Sequence, residues 1–205
     1  MEKQRKTKIL AIGDIHADRG LAKKLSKIAE KEKVDLVIFA GDITYGDMEA
    51  KDIIKPFTKI KKPVLMIPGN HEPASTIESM SQAYENATNI HGYSFEKGDL
   101  GIFGAGTVDW DEESPEETEI FNLLKRGNSK LKHSKKKIMV THMHPHKSKA
   151  EFSGWPGSKA VKQAIKKFHP DVAICSHIHE AGGLQEKIGD TEVIHVSRTP
   201  AIFEI

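Results

Sequence analysis

Apolar residues in this chain gather into short unbroken runs, and each run gives way to polar side chains. Residues 8–13, KILAIG, form the first. A run this short, without alternation, fits a strand buried on both faces. Residues 19–31 carry Leu21, Leu25, Ile28 and Ala29 at helical spacing among lysines, which predicts an amphipathic helix. VDLVIFAGD reads as a second buried strand ending at Gly41-Asp42. A helical segment is expected near residues 48–60, followed by a strand over 63–67 that runs into PGNHEP. Buried strands alternating with amphipathic helices predict an α/β layered fold.

The middle of the chain is less regular. GYSFEKGDLGIFGAG reads as two short strands about a Gly-Asp turn at residues 98–99. Residues 107–119, TVDWDEESPEETE, are acidic and irregular, with a helix expected from about 117 to 127. The basic stretch from Lys125 to Lys137 reads as a solvated helix end and loop. KKIMVTH predicts another strand, and GSKAVKQAIKKFHP an amphipathic helix stopped by Pro170. DVAICSHIH gives a strand and loop, and LQEKIGDTEVIHVS a hairpin with a second Gly-Asp turn. With no repeat, low-complexity tract or linker, a single domain over residues 1–205 is expected.

Composition narrows the classes of partner. Charged residues make up 29% of the 205, but the formal net charge is only +2. Nucleic-acid and membrane partners usually show as charge asymmetry, so neither is demanded here. The one cysteine, Cys175, excludes an intrachain disulfide and a cysteine-built zinc site. The start, MEKQRKTKILAIGDIH, is basic and then apolar, but reaches Asp14 too soon for a signal core or a membrane span. A soluble, cytoplasmic protein is the expectation. Carboxylates around Trp110 would repel a long polyanion if they line a cleft, so no long nucleic acid is expected.

The placement of the eleven histidines carries more than their number. Five apolar strands run out into ligand-type residues: Asp14 and His16, Asp42, Asn70 and His71, His142, then His177 and His179. In α/β sheets the ligand crevice lies beyond the carboxyl ends of the strands. If these strands share one sheet, their tips converge. Each tip alone is an ordinary turn or cap residue, with Gly69 supplying backbone freedom, but five such tips exceed what turn chemistry explains. Together they suffice for two divalent ions if one carboxylate bridges. Mixed imidazole and carboxylate donors suit Mn, Fe, Zn or Ni, with Mg possible. Two ions about 3.5–4 Å apart can share a water, lower its pKa and clamp an in-line displacement at phosphorus.

GDIH, GD, GNHE, TH and SHIH, in that order from residue 14 to 179, resemble the signature of the calcineurin-like metallophosphoesterase superfamily. The resemblance implies a two-layer β-sandwich flanked by helices, with a dimetal site at the strand ends. It implies that Asp14, His16 and His179 hold one ion, that Asn70, His142 and His177 hold the other, and that Asp42 bridges. The GNH histidine, His71, is implied to act on the transferring phosphate and to protonate the leaving alkoxide, a task imidazole suits. Glu72 could support His71 or cap the next helix.

Some positions depart from the pattern or add to it. Ser176 stands where the superfamily usually has glycine. Tyr45, in GDITYGD, stands where protein Ser/Thr phosphatases carry an aspartate, which disfavours that subgroup. His144 and His146 are extra histidines that contact substrate or face solvent, with solvent favoured. Trp155, in FSGWPG, stacks on a substrate ring or anchors its loop. The last third resembles small phosphoesterases related to the Icc cyclic-nucleotide phosphodiesterase group. The expected function is hydrolysis of small-molecule or cyclic-nucleotide phosphodiesters. A phosphomonoesterase is the alternative, and a non-catalytic binding module on the same fold ranks lower.

Overall fold

The computed structural model describes residues 6–46, 53–106 and 117–205. Trp110, most of the acidic 107–119 stretch and the first part of the helix expected near 48–60 lie outside the described residues.

Strand β1 (Lys8–Ile12) leads through helix α1 (Arg19–Lys31) to β2 (Leu36–Ala40), then through the single turn α2 (Lys55–Thr58) to β3 (Val64–Ile67). Helix α3 (Ala74–Ala83) connects β3 to β4 (Ala87–Asn89). These four strands run parallel, and β11 (Ala201–Glu204), the last in the chain, adds antiparallel to β1. The second sheet holds β5 (Ser94–Lys97), β6 (Leu100–Ala105), β7 (Lys136–Thr141), β8 (Val172–Cys175), β9 (Gln185–Ile188) and β10 (Thr191–His195). Its order is β5-β6-β7-β8-β10-β9, with α4 (Glu117–Asn128) and α5 (Lys159–Phe168) as crossovers.

The unbroken apolar runs have a direct cause. Successive side chains on a strand point to opposite faces, and here both faces are covered. On β2, Leu36, Ile38 and Ala40 pack toward the second sheet among Ile138, Val140 and Ile174. The intervening Val37 and Phe39 pack with Leu25 of α1, Phe57 of α2 and Ile77 of α3. On the far side Phe103, Met139 and Ala173 meet Leu124 of α4 and Val161 and Ile165 of α5. The result is the expected α/β fold, a two-layer β-sandwich flanked by helices.

Helix α1 spans the residues its periodicity predicted, with Asp18 accepting from the Leu21 N–H at 2.9 Å as its cap. Among the α-helices and strands, α3, β4 and β11 were not foreseen. Helix α3 buries only Ile77 and Met80, which is too thin a stripe to stand out, while β4 and β11 are three and four residues long. Such short strands are set by their neighbours in the sheet rather than by local pattern.

One expectation needs correction. The five strands that carry the polar tips do not share a sheet: β1, β2 and β3 belong to the first, β7 and β8 to the second. The tips still meet because the parallel strands of both sheets end on the same edge of the sandwich. The Gly13 N–H donates to the Val196 carbonyl at 3.0 Å, joining the sheets at that edge. Among the described residues, no helix is long and apolar enough to cross a membrane.

Candidate dinuclear metal centre

Strand register fixes the height of each tip. Ile12 pairs with Phe39 and Ala40 with Ile67, so Asp14, Asp42 and Asn70 emerge at neighbouring levels. The Asp14 N–H then donates to the Gly41 carbonyl at 3.1 Å, and the His16 N–H to the Asp42 carbonyl at 2.9 Å. On the second sheet the Ser176 N–H donates to the His142 carbonyl at 2.9 Å. Asp14, His16, Asp42 and His177 all hold positive φ, at 55°, 47°, 52° and 71°. Left-handed backbone at non-glycine residues is costly, and at these four positions it accompanies side chains that turn into one crevice.

Asp14, His16 and His179 form a first set, with one donor atom of each within 4.8 Å of the others. The His16 and His179 Nε2 atoms are 3.2 Å apart, so two ring nitrogens point at one place. Asp14 Oδ2 accepts from the Ser176 and Ser197 hydroxyls and from the His177 N–H at 3.1 Å. Its other oxygen, Oδ1, is buried with no hydrogen-bond partner and lies 3.5 Å from His179 Nε2 and 3.8 Å from His16 Nε2. A buried carboxylate oxygen facing two imidazole nitrogens without a donor is what a cation site requires.

A second set gathers on Asn70. Its Oδ1 lies 3.0 Å from His142 Nε2 and 3.1 Å from His177 Nδ1. His142 Nδ1 contacts the Ala40 carbonyl at 2.8 Å; as donor there it leaves Nε2 turned to the crevice. Asp42 stands between the sets, with Oδ2 3.5 Å from His142 Nε2 and 3.7 Å from His16 Nε2. These residues could hold two divalent ions, with Asp42 within reach of both.

The electrostatics agree. Burial pushes the Asp14 and Asp42 carboxyls up, but the imidazoles of His179 and His142 beside Asp14, and His142 beside Asp42, hold both below the usual carboxylate range. Burial works against charge on His142, yet Asp42 and Asp14 raise it to about 9. Burial and the neighbouring His142 hold His177 down at about 4. Without metal, a proton on His142 therefore offsets part of the carboxylate charge. A divalent ion would replace that proton.

His71 sits at the rim. Its N–H donates to Asp42 Oδ1 at 3.0 Å, while its ring Nε2 is 4.0 Å from Asp42 Oδ2 and its side chain is 32% exposed. His16, Asp42 and His71 thus form a further group within 4.8 Å. Gly69 is not there for backbone freedom, since it lies outside the left-handed region. It is there for close approach: a Cβ at this position would collide with Asp42 Oδ1. Glu72 caps no helix, because α3 begins after Pro73. It is buried, and its carboxylate accepts from the N–H groups of Ile43, Thr44 and Gly69.

The extra histidines behave differently from one another. His144 does not face solvent; it is fully buried, with Nε2 3.3 Å from the Trp155 carbonyl. His146 is partly exposed and pairs with Glu151 at 3.0 Å. Trp155 is half exposed. Sequence reasoning missed Ser197 altogether and gave Ser176 no role. A serine in a strand-end loop carries no local signal that its hydroxyl will meet an aspartate more than a hundred residues away.

Two facing sheets with mixed imidazole, carboxylate and amide donors converging at their strand ends define the class: a protein with a site that could hold a dinuclear metal centre. The model of the calcineurin-like phosphoesterase family matches residues 7–181, and the chain belongs to that family. It is accordingly a metal-dependent phosphoesterase, in a family that uses a dinuclear divalent site. No curated protein sequence matches the chain. Among solved structures it is similar to TT1561 of Thermus thermophilus, with TM-score 0.78, 18% identity, and 98% of this chain and 99% of that one covered. A dimetal phosphatase from Danio rerio superimposes with TM-score 0.64 at 13% identity, covering 93% and 87%. An archaeal phosphodiesterase gives TM-score 0.56 at 18% identity, covering 97% and 100%. At these identities the likeness speaks for the fold.

Proposed function

We propose that the protein hydrolyses small phosphodiesters, cyclic nucleotides included, with Asp14, His16 and His179 holding one divalent ion and Asn70, His142 and His177 the other. The observation that carries this reading is the position of Asp42, whose carboxylate lies 3.5–3.7 Å from a nitrogen of each set. Bound ions (Mn, Fe, Ni, Zn or Mg) supply an activated water and positive charge for the phosphoryl oxygens. The chain does the rest. The Asp42 carboxylate holds the two sets in register, and Ser176 and Ser197 fix the orientation of Asp14. The backbone bond from His71 to Asp42 sets the His71 ring at the edge of the crevice, where it delivers a proton to the departing ester oxygen.

The preference for diesters draws on the openness of this rim. His71, His179 and Tyr45 are all accessible at the mouth, which leaves room for a second ester arm on phosphorus. The archaeal phosphodiesterase of the same fold is consistent with that preference. Trp155 remains a candidate for contact with the remote end of the substrate; the buried His144 does not reach substrate but ties the Trp155 loop to the end of β7 beside His142.

The test is hydrolysis of bis-p-nitrophenyl phosphate against p-nitrophenyl phosphate, with Mn, Fe, Ni, Zn and Mg each supplied. Faster turnover of the diester supports the reading. Turnover of the monoester alone would make the protein a phosphomonoesterase on the same centre, and no turnover with any metal would overturn the assignment.

A further inference from the structure

The loop after β2 carries an aromatic ring, that of Tyr45, to which the chemistry above gives no role. Tyr45 is 53% exposed, yet its ring lies flat on His71, with centroids 5.0 Å apart and planes at 15°. It also meets His16 edge-on at 5.8 Å and 74°. Beyond these ring contacts, Tyr45 leaves accessible apolar surface at the mouth of a polar crevice, where a ligand can meet it.

The backbone immediately before Tyr45 is held in place. The Ile43 and Thr44 N–H groups both donate to Glu72 at 3.1 Å, and the Thr44 hydroxyl lies 3.0 Å from Glu72 Oε2 and 3.2 Å from the His71 carbonyl. Glu72 also accepts from the Gly69 N–H. The loop carrying Tyr45 and the loop carrying His71 are therefore cross-linked by one buried carboxylate. Such preorganisation lowers the ordering cost of binding.

We propose that Tyr45 is a specificity residue for the leaving group, a platform that selects a planar aromatic or nucleoside group on the departing oxygen. The inference rests on the assignment of His71 as proton donor to that oxygen. In the hydrolysis, water adds to phosphorus, the bond from phosphorus to the leaving oxygen breaks, and that oxygen takes the proton held by His71. The group attached to the oxygen must then run past the His71 ring, and Tyr45 is the surface stacked against that ring. An aryl group or a base gains stacking contact there, and a small alkyl group does not. The ring, not the hydroxyl, makes this contact, so phenylalanine should serve as well.

The experiment compares wild type, Tyr45→Ala and Tyr45→Phe, each loaded with the metal that supports turnover of bis-p-nitrophenyl phosphate. Calorimetry measures the binding of phenylphosphonate and methylphosphonate. In parallel, kcat and KM are measured for p-nitrophenyl and methyl esters of ethyl phosphate, whose second arm carries neither an aromatic ring nor a base. Wild type and Tyr45→Phe are expected to bind phenylphosphonate ~10-fold more tightly than methylphosphonate, with Tyr45→Ala losing the difference. For the esters, Tyr45→Ala should raise KM for the aryl leaving group ~10-fold and change the methyl ester little. An aryl preference that survives in Tyr45→Ala, or one lost equally in Tyr45→Phe, overturns the platform while active wild type leaves the phosphoesterase reading standing. Wild type inactive on every ester with every metal removes both. Tyr45 is exposed, and unchanged thermal unfolding of the variants establishes that they fold.

Discussion

The Glu72 carboxylate receives both the N–H of Thr44, at 3.1 Å, and its hydroxyl, at 3.0 Å, in a fully buried contact between two loops. The same carboxylate takes the N–H groups of Ile43 and Gly69, so it ties the β2 loop carrying Asp42 to the β3 loop carrying Asn70 and His71. Burial and the nearby Asp42 charge raise its pKa, and the donated N–H groups work against that rise. Glutamine would keep the shape but turn an N–H₂ toward donors. Glu72→Gln is expected to destabilise the protein by about 2–3 kcal/mol, since a buried donor would be left unpaired. Urea unfolding measures that loss, and a metal titration should show weaker binding although Glu72 touches no ion itself.

Ser176 supplies what the glycine common at this position could not. Its hydroxyl donates to Asp14 Oδ2 and lies 3.2 Å from the Ser197 hydroxyl, leaving Oδ1 free for a cation. Ser176→Ala removes one bond to a charged acceptor, worth ~1.5 kcal/mol, or about tenfold in affinity. The loss should fall on one of the two metal-binding steps resolved by calorimetry. Equal weakening of both steps would contradict the assignment of Asp14 to a single ion.

Asp42 and His71 are adjacent in space but differ in expected role. Asp42→Asn should leave less than two ions per chain after desalting, read by elemental analysis. His71→Ala should keep both ions while kcat falls by about 10²–10⁴, the usual worth of a positioned general acid. Loss of an ion from His71→Ala would instead make His71 a ligand, as its membership of a group with His16 and Asp42 permits.

Acid should weaken the metal-free protein partly through His91, far from the ligand sets in sequence. Its Nδ1 accepts from the Gly106 N–H at 3.1 Å, and burial, with Arg126 nearby, lowers its pKa to about 4. Between the unfolded value near 6.5 and this folded value, the unfolded chain binds the extra proton. Stability is thus retained above about pH 6.5 and falls as pH drops toward 4, by ~3 kcal/mol from this group at full extent. His91→Asn keeps an acceptor for Gly106 without the basic nitrogen. Urea unfolding at pH 7 and pH 4.5 should show a smaller loss in the variant than in wild type.

The sequence by itself determined the alternation of strands and helices and the chemical nature of the strand tips. Unbroken runs such as LVIFA are readable because both faces of the strand are buried, and α1 is readable because its apolar stripe is wide. Asp14, His16, Asp42, Asn70, His71, His142, His177 and His179 were legible as one constellation because each follows such a run directly. Tertiary structure alone decided that these tips come from two sheets rather than one, since a chain's local pattern does not say which strand pairs with which. It also decided the supporting contacts: Ser197 on Asp14, Glu72 across two loops, Gly69 against Asp42 and Tyr45 flat on His71. Each of these depends on atoms brought into contact by the packing of segments distant in sequence, and residue spacing along the chain holds no record of that.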